Sequence, residues 1–188
     1  MDNEKLNILR LLIEHQEPIS IRQIALKRNI NYKSAYNAVQ KLSKEGIITI
    51  NSLGNTSLCS FNHKFNESVF IVEHARLQEL LKNKNFKVIQ DDLKSINSQF
   101  IILLFGSYAK KNQTKNSDID FLVITNNPKE VQNELNLIPL KIHITAITYA
   151  DFQVMLKSKE FTVVSEAIKK NIILFGIEDY YRLIENAR

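Results

Sequence analysis

Cysteine is almost missing from this sequence: Cys59 is the only one in 188 residues. One thiol excludes an internal disulfide framework and suits a reducing cytosol, so the expected localisation is cytoplasmic. No apolar run approaches the roughly 20 residues that a membrane-spanning helix needs. The start, Met1 to Glu4, is acidic where a signal peptide would be basic. No membrane partner is therefore expected. The four histidines, at 15, 63, 74 and 143, lack the ligand spacing of a zinc finger. A strong excess of one charge is missing too, with 25 Lys and Arg against 20 Asp and Glu for a net +5. The small surplus is uneven. Residues 1–62 carry eight basic against five acidic side chains, residues 63–86 four against three, and residues 87–188 thirteen against twelve. This N-terminal bias is compatible with nucleic acid. A hydrophobic content of 44% is that of an ordinary globular protein, and the length allows two cores of modest size.

What is present is concentrated between residues 100 and 124. Phe100 to Phe105 is an apolar run that predicts a buried strand, stopped by Gly106. Gly106-Ser107 then opens a short helical turn, where unpaired backbone N–H groups favour a phosphate. A second strand follows from Ile119 to Ile124, with Asp118 and Asp120 at its start. Alternation puts both carboxylates on one face, about 7 Å apart along the strand. Paired carboxylates resist joint ionisation unless a cation neutralises them. Mg²⁺ suits such oxygen ligands and takes much of its shell from water and substrate phosphates.

Gly106-Ser107, ten residues, then Asp118-x-Asp120 resembles the minimal nucleotidyltransferases of the polymerase-beta-like superfamily, over about residues 87–188. The resemblance implies a small domain with a mixed sheet, in which Gly106 and Ser107 bind the nucleoside triphosphate and Asp118 and Asp120 bind Mg²⁺ or Mn²⁺. It also implies a third carboxylate on a later strand, and here the chain departs. On the strand Leu140 to Ile147, Lys141, His143 and Thr145 share one face, while the even positions are apolar and predict core. The chain offers His143 where an acid is expected. Imidazole is a poor Mg²⁺ ligand but accepts softer ions such as Mn²⁺ or Zn²⁺, and it is a competent general base near neutral pH. The alternative is a hydrogen-bonded histidine in a degenerate site. Asp151 is read as part of a helix cap with Thr148 rather than as a substitute acid. Lys110, after the Gly-Ser turn, is the basic residue placed to meet a phosphate, or else a solvated lysine.

The N-terminal third reads differently. Leu6, Leu9, Leu12 and Ile13 recur at helical spacing before Pro18. Ser20 and Gln23 form a capping-box start for a second helix through about Lys27. Asn31 caps a third helix that ends near Gly46. Ile47 to Ile50, a turn around Leu53 to Asn55, and Ser57 to Phe61 predict a hairpin. Residues 3–62 thus resemble a winged helix-turn-helix, which implies that the third helix lies in the major groove of double-stranded DNA. Ala35, Val39 and Leu42 form its inward stripe, and Lys33, Asn37, Gln40, Lys41 and Lys44 point outward for bases and phosphates. The orientation of Tyr36 stays open.

Residues 63–86 predict a linking helix with one apolar side through Phe65, Val69, Val72, Leu77 and Leu80. That side packs within the chain, or, in the sharper reading, makes a homodimer contact. The tail predicts a helix from Phe161 to Lys170, a strand from Ile172 to Phe175 and a final helix. The expected protein is α+β, with a winged helix-turn-helix at 1–62 and a nucleotidyltransferase domain at 87–188. The implied reaction moves a nucleoside monophosphate, with AMP preferred, from the triphosphate to a hydroxyl acceptor. By family likeness the acceptor is a partner toxin and the winged domain regulates its own operon. The rival reading is a DNA-binding transcriptional regulator whose transferase domain is degenerate.

Overall fold

A computed structural model describes residues 3–15, 17–54, 56–158 and 162–187. Asn55 in the hairpin turn and Phe161 at the start of the tail helix lie outside the described residues. The protein is α+β and divides into two compact units, residues 1–72 and 73–188.

The first unit begins with α1 (Asn3–His15), followed by β1 (Ile19–Ser20), α2 (Ile21–Arg28), α3 (Tyr32–Lys44), β2 (Ile48–Leu53) and β3 (Thr56–Phe61). Local chemistry sets each boundary. The Ser20 hydroxyl accepts from the Gln23 N–H while the Gln23 side chain accepts from the Ser20 N–H, the reciprocal cap expected for α2. Asn29 leaves α2 in the left-handed region at φ 52° and donates to the Leu26 carbonyl at 3.1 Å. Asn31 then caps α3 by accepting from Ser34 N–H at 2.8 Å. Ile8, Leu9, Leu12 and Ile13 of α1 meet Ala35, Ala38, Val39 and Leu42 of α3 in one core. Leu6, expected in the stripe, is half-buried, and Ile8 is buried in its place. The sheet has the order β1-β3-β2 and is antiparallel throughout. β1 has no sequence signature: two residues are too short for any periodicity, and they form a strand only by pairing with Leu58 and Cys59.

Helix α4 (Glu67–Leu80) crosses the boundary between the units. The second unit continues with α5 (Lys84–Leu93), β4 (Phe100–Phe105), α6 (Gly106–Lys110), β5 (Ile119–Thr125), α7 (Pro128–Leu137) and β6 (Ile142–Ile147). It ends with α8 (Tyr149–Lys157), α9 (Val163–Lys169), β7 (Ile172–Phe175) and α10 (Ile177–Ala187). The sheet order is β6-β5-β4-β7, with β5 and β6 parallel and the other pairs antiparallel. The mixed sheet follows from the connections: α7 carries the chain across to the parallel β6, as a parallel pair requires. Strands β4 and β5 are central and buried along nearly their whole length, which explains the apolar runs Phe100–Phe105 and Phe121–Ile124. On β6 the even positions Ile142, Ile144 and Ala146 are half-buried rather than core, because β6 is an edge strand.

The unit also holds a polar cluster that the apolar reading of residues 63–86 missed. Glu73 and Arg76 are 2% and 6% exposed, and Arg76 donates to Glu73 Oε2 at 2.5 Å. Arg76 also donates to the Asn171 carbonyl at 2.5 Å, and Tyr181 Oη donates to Glu73 Oε1 at 2.6 Å. Asn171 Nδ2 donates to the Ala167 carbonyl at 2.8 Å and to Tyr180 Oη at 3.1 Å. Each charge inside is paired, the condition under which a buried ion pair is tolerated.

Candidate active site

The site forms where β4 ends beside the start of β5 and β6. Asp120 is opposite Phe105 on the antiparallel side and opposite His143 on the parallel side. The start of β5 is pinned to β6 by the Ile119 N–H, which donates to the Lys141 carbonyl at 2.9 Å. Ahead of it, the Thr114 N–H donates to the Ser117 hydroxyl at 2.8 Å and the Ser117 N–H to the Thr114 carbonyl at 3.2 Å, shaping the turn before Asp118.

Gly106 follows Phe105 with φ +68°, the left-handed region that favours glycine. A Cβ there would lie 2.2 Å from Asp120 Oδ2. The missing side chain is therefore the space that Asp120 occupies. Helix α6 is short but anchored: Ala109 is buried, and the Tyr108 ring packs edge-on against Phe86 at 5.5 Å. Its N-cap residue, Phe105, makes no side-chain cap bond. Ser107 is half-buried on the first turn, and its carbonyl accepts from the Asn112 N–H at 3.1 Å.

The two aspartates differ. Asp120 lies within β5 and is half-buried, whereas Asp118 precedes β5 and is exposed. His143 Nδ1 is 3.5 Å from Asp120 Oδ1, with the imidazole side chain 67% exposed and the carboxylate side chain 28%. Gly106, Asp120 and His143 are thus brought together by backbone register. Lys110 is engaged elsewhere: its ammonium lies 2.8 Å from Glu166 Oε1 on α9. Asp151 is likewise taken up, since its N–H donates to the Thr148 hydroxyl at 3.1 Å and that hydroxyl donates to Asp151 Oδ2 at 2.7 Å. Among the described residues, no three of His, Cys, Asp and Glu converge as a ready-made metal cluster. The Asp120 carboxylate, set into the space that Gly106 leaves, is the kind of oxygen donor a magnesium-like ion takes, since such an ion is bound by one or two carboxylates and completed by phosphates and water.

In the first unit, Lys33, Asn37, Lys41 and Lys44 are exposed on α3, while Gln40 is half-buried. Asn37 and Lys41 line a polar cleft of about 560 Å³ that Glu4 and Ser34 also border. The ring of Tyr36 is turned outward, 43% exposed, and stacks at 6.3 Å on Tyr32, itself 55% exposed. Tyr32 carried no signal in the sequence, because a lone tyrosine at a helix start is equally at home in a core.

No curated protein and no solved structure matches the chain. Residues 86–176, from α5 to the glycine after β7, match the nucleotidyltransferase domain family, which makes general nucleotidyl transfer the chemistry this part of the chain supports.

Proposed function

We propose that the protein transfers a nucleoside monophosphate, preferably AMP from ATP, to a hydroxyl acceptor at the Gly106–Asp120–His143 site. The observation that carries this reading is the fit between Asp120 and Gly106: a Cβ on residue 106 would meet the carboxylate at 2.2 Å. Such a close approach has a purpose if that carboxylate must stand beside the turn where a triphosphate binds. Gly106 and Ser107 would position the triphosphate through backbone N–H groups, which a glycine lets approach closely. Asp118 and Asp120 would hold Mg²⁺ or Mn²⁺, which would supply positive charge to offset that of the triphosphate and of the leaving pyrophosphate. Lys110 would reach a phosphate only by leaving Glu166. His143 stands on the strand face beside Asp120, where it serves as an acceptor base or as a ligand.

The first unit would act as a winged helix-turn-helix, presenting α3 to double-stranded DNA through Lys33, Asn37, Gln40, Lys41 and Lys44. Support comes from the exposure of its lysines and from the α2–α3 turn at Asn29 to Asn31. A protein acceptor such as a partner toxin, with autoregulation of the operon, would join the two activities. The second reading is a DNA-binding regulator with a non-catalytic transferase domain; His143, standing opposite Asp120 where an acid is expected, favours it.

Incubation of the full chain with α-labelled nucleoside triphosphates, Mg²⁺ or Mn²⁺ and candidate protein and RNA acceptors tests the enzyme reading. Transfer that disappears in Asp118→Asn and in Asp120→Asn is expected. Mg²⁺-nucleotide affinity unchanged in both variants would sink the site assignment.

A further inference from the structure

We infer that His143 is a metal ligand, so that Asp120 and His143 together hold a divalent ion that accepts nitrogen, Mn²⁺ in preference to Mg²⁺. The inference rests on the transferase reading above and sharpens it. Parallel pairing of β5 and β6 sets Asp120 directly beside His143. The ring nitrogen Nδ1 stands 3.5 Å from Oδ1, while the other oxygen, Oδ2, is turned toward Gly106. A separation of 3.5 Å is too long for a sound hydrogen bond. It is nonetheless within reach of a shared ion, because two metal–ligand bonds of about 2.1 Å span donors up to roughly 4 Å apart. The imidazole is mostly exposed, so the remaining positions around such an ion open to water and to incoming phosphates. Ligand type then selects the ion. Magnesium demands oxygen and sheds water reluctantly, whereas a borderline ion takes imidazole and carboxylate together. One nitrogen in the donor set shifts preference away from Mg²⁺ without excluding phosphate.

The test uses the full chain, labelled with nitrogen-15, and α,β-methylene-ATP as a nucleotide that cannot transfer its monophosphate. Electron spin echo modulation of bound Mn²⁺ should show a nitrogen-15 coupling, distinguishable from the nitrogen-14 of the adenine. The coupling should vanish in His143→Ala, a change at an exposed side chain that circular dichroism should show to be folded. Competition calorimetry should give a Mn²⁺-over-Mg²⁺ preference of about tenfold, the scale on which metal affinity answers a changed ligand shell, falling toward parity in His143→Asp. Mn²⁺ bound with the analogue but without protein nitrogen coupling would overturn the inference and leave the transferase reading standing. Failure of wild type to bind the analogue with either metal would overturn both.

Discussion

Gly106 and Asp120 share one small volume: the carboxylate Oδ2 sits where residue 106 would otherwise carry a methyl group, 2.2 Å away. Because the atom in the way is the tip of a side chain, Gly106→Ala should displace the Asp120 carboxylate more than it disrupts the sheet. The left-handed backbone adds a cost of about 1–2 kcal/mol for a residue with a Cβ. The variant should therefore fold with a modestly lowered melting temperature and lose nucleotide binding and transfer. Calorimetric affinity for Mg²⁺-ATP equal to wild type would show that Asp120 does not need that space.

The Glu73–Arg76–Tyr181 cluster predicts unequal costs for its members. Arg76→Met leaves the Glu73 carboxylate buried beside Tyr181 alone and should destabilise the protein by about 3–5 kcal/mol. Tyr181→Phe removes one hydrogen bond to the carboxylate and should cost about 1–3 kcal/mol. Changing Glu73 and Arg76 together to Gln and Met should cost less than Arg76→Met alone. Urea denaturation followed by circular dichroism measures all three. A double variant weaker than the single would contradict the account.

Alkaline pH should weaken the first unit through Cys59. Burial pushes its thiol up from 9.0 to about 11. Below the unfolded value the thiol keeps its proton in both states and its contribution is fully present. As pH rises from about 9 to about 11 the unfolded thiol ionises first, the folded state binds more protons, and stability falls by no more than about 3 kcal/mol. Tyr181, held well above its usual range by burial and by Glu73, acts in the same direction in the second unit. Cys59→Ala should lower stability at neutral pH yet flatten the decline between pH 9 and 11. Identical slopes in wild type and variant would rule out Cys59 as the titrating group.

DNA binding, if α3 carries it, should respond to its lysines through counterion release. Replacing Lys33, Lys41 and Lys44 with alanine should reduce the slope of log affinity against log salt by up to about three, near one for each lost phosphate contact. Gel shifts with the chain's own upstream DNA across a salt series read the slope. No binding by wild type at low salt would make α3 a protein-contacting face.

Tyr32 and Tyr36 present a stacked, exposed aromatic pair on that same helix. Exchanging both for alanine should weaken DNA binding while leaving the salt slope of wild type, since neither ring carries charge. A slope change would mean that the substitutions had disturbed the α3 lysines instead.

The sequence by itself determined what depends on neighbours along the chain. Ser20 with Gln23, Asn31 with Ser34 and Thr148 with Asp151 are caps closed over three residues, so their residue types announce them. The apolar runs of β4 and β5 and the Gly-Ser turn were legible for the same reason, and the match at residues 86–176 agrees with the transferase reading they carried. Tertiary structure alone decided the rest. Ile19 and Ser20 are a strand only because β3 lies beside them. Glu73 reaches Tyr181 across 108 residues, and no local pattern tells a paired buried acid from a solvated one. The same holds at the site: Asp118 and Asp120 look alike in sequence, but only Asp120 falls inside β5, and register brings it against Gly106 and His143. Pairing between distant strands sets that register, and it is the packing of whole elements, not the identity of adjacent residues, that selects it.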